Sequence, residues 1–340
     1  MKRSRFITLT MVLSAVLVLI AALACVFFGS VRIPPAEIVR ILVKGSSSNQ
    51  VWDYIVLRSR IPQMVTALLA GVGLSLCGLM MQTLFHNPLA DPSILGISSG
   101  ANLGAAIVLL FMGGTISFST ISIFGQFAVI LGALTGSLAT LLLIIWFASR
   151  IQSSVMILIV GVMVGYLTSS LISILNSMST AQGVHSLVLW GLGNFSGVGL
   201  SKLLFFSIAT IIPIVLACTQ IKVLNAFLLG EDYVRNLGIN VSYKRTLILI
   251  LTGILTAVIT AFCGPIAFIG LAVPHMARLL VKSSNHNLLM PLSALLGGLT
   301  ALVCNLITVT GIPLNAITSF MGVPVILYVI VGKRQTRYMQ

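Results

Sequence analysis

Acid is what this chain lacks. Five Asp and Glu residues are spread over 340 positions, and charged side chains of either sign make up only 7%. A soluble domain carries about 25%. So few ionised groups cannot keep the surface of a soluble fold of this size wet, which excludes a soluble enzyme and a disordered chain. The net charge of +14 invites comparison with nucleic-acid binders. Lys and Arg, however, stand in short clusters between long apolar runs, the distribution of a membrane topology and not of a groove that tracks phosphates. Cys25, Cys77, Cys218, Cys263 and Cys304 form no CxxC pair and no Cys/His spacing for zinc. Each sits in an apolar run and reads as a small packing residue. There is no GxxxxGK[ST] phosphate loop, HExxH, GxSxG or paired-acid arrangement, so no catalysis and no cofactor are expected of this chain. His86, His185, His275 and His286 are scattered and read as loop or helix-end residues.

What is present is 58% apolar side chains. A hydrocarbon core of about 30 Å takes about 20 helical residues to cross. The uncharged gaps hold ten crossings, at about 6–28, 62–84, 93–111, 121–148, 154–176, 200–220, 245–263, 270–282, 288–308 and 316–332, the eighth being short. The third and fourth are hinged near Gly113-Gly114. Residues 184–198 are too short and glycine-rich for another span and read as an interfacial segment. The expected fold is an all-α integral membrane protein, residues 1–340 forming a single transmembrane domain. Ala22-Leu23-Ala24-Cys25 faintly resembles a lipoprotein cleavage box, but the apolar run around it is too long for a signal peptide. Ten crossings put both termini on one side. That side carries 13 of the Lys and Arg residues and the other carries 6, so the positive-inside rule makes the first cytoplasmic.

Two segments put turn residues beside membrane-depth sequence: His86-Asn87-Pro88-Leu89-Ala90-Asp91-Pro92, and Gly264-Pro265-Ile266-Ala267-Phe268-Ile269-Gly270 followed by Pro274. Each separates a long helix from a shorter one. They fall near half the chain apart and, by the span count, on opposite faces, as expected of two five-helix halves in inverted orientation. Irregular backbone at this depth survives only when buried in protein or lining a water-filled cavity. The breaks are either proline-terminated helices with tight loops or parts of a solute pathway. The fifth span carries Gly161, Gly165, Ser169, Ser173 and Ser177 at every fourth position, with Thr168 and Asn176 beside them. Such a stripe either lets helices approach closely or, where it gains hydroxyls, faces an aqueous route. The shorter stripes Gly132-Gly136-Thr140 and Ser293-Gly297-Ala301 read as close-packing sites.

No carboxylate lies mid-span, so coupling to protons or sodium through buried acids is not expected. Uphill transport would then need a motor outside the chain. The most polar loop on the cytoplasmic side, 222–245, reads as two short helices broken at Gly230 and Gly238, one turning Glu231, Asp232 and Arg235 outward. An ion-driven carrier and a membrane-embedded enzyme or scaffold are the competing readings; neither has a supporting motif.

These residues resemble the permease subunits of FecCD-like (type II) ABC importers for iron–siderophore, haem and cobalamin uptake. The resemblance rests on Arg60-Ile61-Pro62, Gly71 to Gln82, Asn87-Pro88-Leu89-Ala90-Asp91-Pro92 with Gly96 and Gly100, Leu229-Gly230-Glu231-Asp232 with Arg235 and Gly238, Gly264 to Arg278, and Pro313 to Pro324, nearly the whole chain. It implies a homodimer in a bacterial inner membrane with the pathway at the subunit interface, and two cytoplasmic ATPase subunits, which hold the ATP and Mg. A periplasmic or lipid-anchored binding protein would deliver a bulky metal chelate, a ferric siderophore before cobalamin or haem. It further implies that Leu229, Gly230, Glu231, Asp232, Arg235 and Gly238 couple to the ATPase. Asn87, Pro88 and Leu89 with Gln152, Ser153 and Ser154 would form the cytoplasmic gate. Arg60 would pair with the binding protein, and Gly161, Gly165, Thr168, Ser169, Ser173 and Asn176 would line the pathway. The chain departs from the family pattern at Gln63, His86, Asn305 and Gly311.

Overall fold

The computed structural model describes residues 2–112, 123–151 and 154–337, and side chains within 5–111, 125–151 and 155–329. The hinge expected at Gly113-Gly114 lies outside the described residues. Among those described the chain is all helix, with no strand. The elements in order are α1 (Lys2–Phe27), α2 (Pro35–Lys44), α3 (Gln50–Ile55), α4 (Ile61–Leu84), α5 (Ile97–Met112), α6 (Ile123–Arg150), α7 (Ser154–Ser177), α8 (Ala181–Gly191), α9 (Leu200–Thr219), α10 (Ile221–Phe227), α11 (Glu231–Asn236), α12 (Val241–Cys263), α13 (Ile269–Val281), α14 (His286–Thr308) and α15 (Leu314–Arg337).

Seven stretches are long and apolar enough to cross a membrane: 5–27, 50–84, 125–150, 155–177, 200–219, 241–263 and 286–308. Shorter apolar helices at 97–111, 269–281 and 314–329 stand where the third, eighth and tenth spans were expected. The apolar residues of α1 and α9 are mostly exposed, as lipid-facing helices require, whereas α4 and α12 are buried on nearly every side. These two form the middle of the bundle.

Small residues bring the helices together. A Cβ added at Gly104 would sit 1.9 Å from the Gly132 carbonyl oxygen, and one at Gly71 would sit 2.2 Å from that of Gly297. The stripes on α6 and α14 are thus the close-packing sites their spacing predicts. Helix α5 packs on α6 and α7, and α13 packs on α14 and α15; α12 pairs with α6 as α4 pairs with α14. The pairing scheme of the first half therefore recurs in the second.

The sequence reading treats 32–60 as an outer connection. Here it folds. Helix α2 is amphipathic and sinks Ile38 and Ile41 onto Val26, Ile33 and Val56. Helix α3 then runs through a π-helical turn, Val56–Arg60, straight into α4. The polar residues between the apolar ones hid this periodicity from a search for long uncharged runs. The segment expected to lie in the interface likewise contains α8, which packs against α5.

Candidate functional site: helix breaks and coupling segment

The first break begins where α4 ends. His86 takes a left-handed φ of 48° and the chain reverses through Asn87, Pro88 and Leu89. The Asn87 side chain accepts from the Leu89 amide at 2.9 Å, and the Ala90 amide donates to the Asn87 carbonyl at 3.1 Å. Asp91 accepts from the Ser93 amide and hydroxyl and caps the turn Pro92–Leu95. Burial raises its carboxyl above the ordinary value, against the lowering pull of the Ser93 donors. Gly96, at φ 76°, then turns the chain into α5.

Two histidines fasten this turn. His275 on α13 donates from Nε2 to the Pro88 carbonyl at 2.7 Å, and His86 donates from Nε2 to the Phe227 carbonyl of α10 at 2.6 Å. A carbonyl only accepts, so both rings carry the proton on Nε2. His286, at the start of α14, lies between the Thr83 hydroxyl at 2.8 Å and the Asn225 side-chain oxygen at 3.0 Å. Three of the four histidines read as scattered therefore converge where α4, α10, α13 and α14 meet. They are 61 to 203 positions from their partners, a pairing no local spacing reveals.

The second break is tied differently. Gly264 and Phe268 have φ of 74° and 67° on either side of Pro265. The Asn315 side chain, at the start of α15, donates to the carbonyls of Gly191 and Pro265 at 2.9 and 2.8 Å and accepts from the Ala267 amide at 3.2 Å. The Asn194 amide donates to the Cys263 carbonyl at 2.7 Å. One asparagine thus joins α8, the break and α15, a role its sequence position does not announce. Beyond the break, Gly270 lies against Asp91: a Cβ there would come within 2.5 Å of the Asp91 carboxyl oxygen. The sequence places the two breaks on opposite faces. In the fold, the chain returning from the first meets the helix that begins after the second.

The fifth-span stripe divides along its length. Gly161 abuts the backbone of Ile94 and Leu95, and Thr168 is buried; this inner part packs. Ser169 and Ser173 are exposed. Asn176 keeps its side-chain oxygen buried without a hydrogen-bond partner. Gln152 and Ser153 lie outside the described residues, and of Ser154 only the backbone is described.

The 222–245 loop forms two short helices, α10 and α11, as expected, and α12 begins before the loop was thought to end. Gly230 and Gly238 have φ of 102° and 74°, conformations that favour glycine. Asp232 and Arg235 point outward and pair at 3.5 Å. Glu231 does not project outward: it turns inward to the buried Arg245 of α12. The face left open carries Leu229, Tyr233 and Leu237, all exposed, an apolar patch at a polar corner.

Arg60 is not on the surface either. Its guanidinium donates to the carbonyls of Val26 and Phe27 at 2.8 and 2.9 Å, and to that of Val31, closing the end of α1. The residue is only 5% exposed, so its charge is already satisfied by peptide oxygens. Above it, a cavity of about 540 Å³ opens between the end of α1, Gln63, Asn194, Asn305 and Pro313.

Broken half-helices meeting inside a multi-pass bundle, with a short helical segment clamped beneath them, define a solute permease and not an enzyme. A profile of the FecCD transport family matches residues 16–332. The vitamin B12 import system permease protein BtuC of Salmonella newport is 32% identical over 321 residues, covering 93% of each chain. An ABC transporter permease protein of Methanocaldococcus jannaschii is 30% identical over 86% of this chain and 88% of its own. Among solved structures, a transporter described as of metal-chelate ABC type, in an inward-facing conformation, superposes with a TM-score of 0.81 at 27% identity, over 95% of this chain and 98% of the other. PsaBC from Streptococcus pneumoniae, in complex with a Fab, at 16% identity and a TM-score of 0.54, shares the fold alone. The chain belongs to the FecCD transport family, whose members are the membrane-spanning permease subunits of ABC transporters.

Proposed function

We propose that two copies of this chain form the membrane channel of an ATP-driven importer that carries a bulky metal chelate, a ferric siderophore first, into the cytoplasm. Each copy crosses ten times in two inverted halves, with both termini inside. Leu229, Gly230, Glu231, Asp232, Arg235 and Gly238 form the segment that seats on a partner ATPase, which binds the ATP and Mg. Asn87, Pro88 and Leu89, with Gln152, Ser153 and Ser154, close the inner mouth. The exposed outer part of the α7 stripe, Ser169 and Ser173 with Asn176, faces the route between the copies. A binding protein delivers the solute from outside.

The observation that carries this reading is the contact of the coupling segment with the gate turn: His86 holds Phe227, the last residue of α10, against the turn at Asn87-Pro88-Leu89. A push on α10 and α11 therefore reaches the gate through one hydrogen bond. Because Arg60 is spent on α1 and Arg40 pairs with Glu37, exposed Arg32, Lys44 and Arg58 are the outer cations open to the binding protein.

A second cargo, a corrinoid, is supported by the vitamin B12 import names of several relatives. The permease reconstituted with its ATPase and binding protein should accumulate labelled ferric siderophore only when ATP is supplied. Accumulation of cobalamin or haem instead reassigns the cargo; no ATP-dependent uptake of any of the three sinks the importer reading.

A further inference from the structure

All five acidic side chains of this protein are accounted for. Glu37 pairs with Arg40, Asp53 accepts from the Ser47 amide, Asp91 holds Ser93, Glu231 holds Arg245 and Asp232 holds Arg235. None is left for Lys202. Yet Lys202, in the first turn of α9, is only 5% exposed. It is turned in towards protein instead of snorkelling out to water. Its ammonium donates to the Gln126 side-chain oxygen at 2.6 Å and lies 5.1 Å from the centre of the Phe127 ring. Those are weak answers to a buried full charge.

Lys202 borders a cavity of about 350 Å³ enclosed by Gln126, Trp190, Asn194, Ser196 and Phe262. Gly199 starts α9 without a side-chain cap, so the positive end of a 20-residue helix opens beside the ammonium. Beyond it the surface turns apolar and exposed: Phe127 and Leu131 on α6, Leu204 and Phe205 on α9. Phe205 also stacks on Phe262 of the cavity wall, 5.9 Å between centroids. A buried cation with a few polar neighbours (Gln126, Asn194, Ser196), in a pocket otherwise walled by apolar side chains such as Val129, Ile130 and Phe262 and opening onto two greasy helix flanks, has the chemistry of a molecule with an anionic head and hydrocarbon tails.

We infer that this cavity is a phospholipid site in which the lipid phosphate is the counter-ion of Lys202 and the acyl chains lie along α6 and α9. The site needs only a membrane-spanning chain and is independent of which cargo is carried. A charge-assisted hydrogen bond to phosphate favours such a lipid over one without phosphate by about tenfold.

Native mass spectrometry of the full-length chain in detergent tests this, with phosphatidylglycerol, diacylglycerol and inorganic phosphate added separately. The wild type should retain one phosphatidylglycerol about tenfold better than diacylglycerol. Lys202→Met should erase that preference, and Lys44→Met, at an exposed lysine, should keep it. Gln126→Glu gives Lys202 a resident carboxylate and should expel the lipid while leaving the protein folded, so the idea stays testable if Lys202→Met misfolds. Equal retention of diacylglycerol, or undiminished phosphatidylglycerol on Gln126→Glu, overturns the assignment. Binding of inorganic phosphate with no lipid retained overturns it as well.

Discussion

Glu231 shows how one residue changes meaning between sequence and structure. Its place in the coupling segment suggests a contact for a partner, but its carboxylate is turned back to Arg245. Replacing it by Gln takes a carboxylate away from a buried guanidinium. With Glu231 partly solvated, the expected cost is about 2 kcal/mol, read as a lower melting temperature of the purified chain. Glu231→Gln combined with Arg245→Met should cost less than the two single changes summed; additive costs would mean that the pair does not act as a unit. Asp91 makes a pH prediction. Its carboxyl is raised by burial, so the fold favours the protonated form. The stability this contributes is complete below the unfolded value of about 3.9 and is lost as pH climbs through the raised one. Asp91→Asn does not titrate, so its melting temperature should gain on the wild type's with rising pH. Parallel curves would remove the burial argument. Motif position marked both residues, but neither was legible further: the inward turn of Glu231 depends on how α11 folds back on the adjacent α12, and the burial of Asp91 on Gly270 of the distant α13.

At the scale of elements, the bundle depends on places where two helices touch without side chains between them. A Cβ at Gly78 would stand 1.7 Å from the Gly270 carbonyl oxygen, backbone that cannot move aside. Gly78→Ala should therefore force α4 and α13 apart and cost about 1–3 kcal/mol, seen as a lower melting temperature and reduced yield in the membrane. Gly191→Ala meets nothing within 4 Å and should behave as wild type. A silent Gly78→Ala would mean these helices are not in contact. Helix existence was legible here, since long uncharged runs are hard to mistake: α1, α4, α6, α7, α9, α12 and α14 all coincide with expected spans. The short charged helices α10 and α11 were legible from the glycine breaks around them, whereas α2 and α3, inside a stretch taken as an outer connection, were not. The stripes on α6 and α14 gave away their own packing, but no spacing identified α5 and α4 as their partners.

At the scale of the whole molecule, the charge pattern predicts a sidedness that labelling can read. Cys25, Cys77, Cys263 and Cys304 are buried and Cys218 is exposed, so Cys218→Ser gives a quiet background. In that background Ser46→Cys should react with an impermeant thiol reagent from outside intact cells, and Ser242→Cys only after the membrane is opened. The reverse pattern would invert the topology, and labelling of both from one side would break the span count. Asn315 sets a mechanical condition on any such channel. Because its one amide grips the end of α8, the Pro265 kink and the root of α15 together, these three elements are tied into one unit. A mutation that frees α8 should therefore loosen the middle of the bundle as well as its rim.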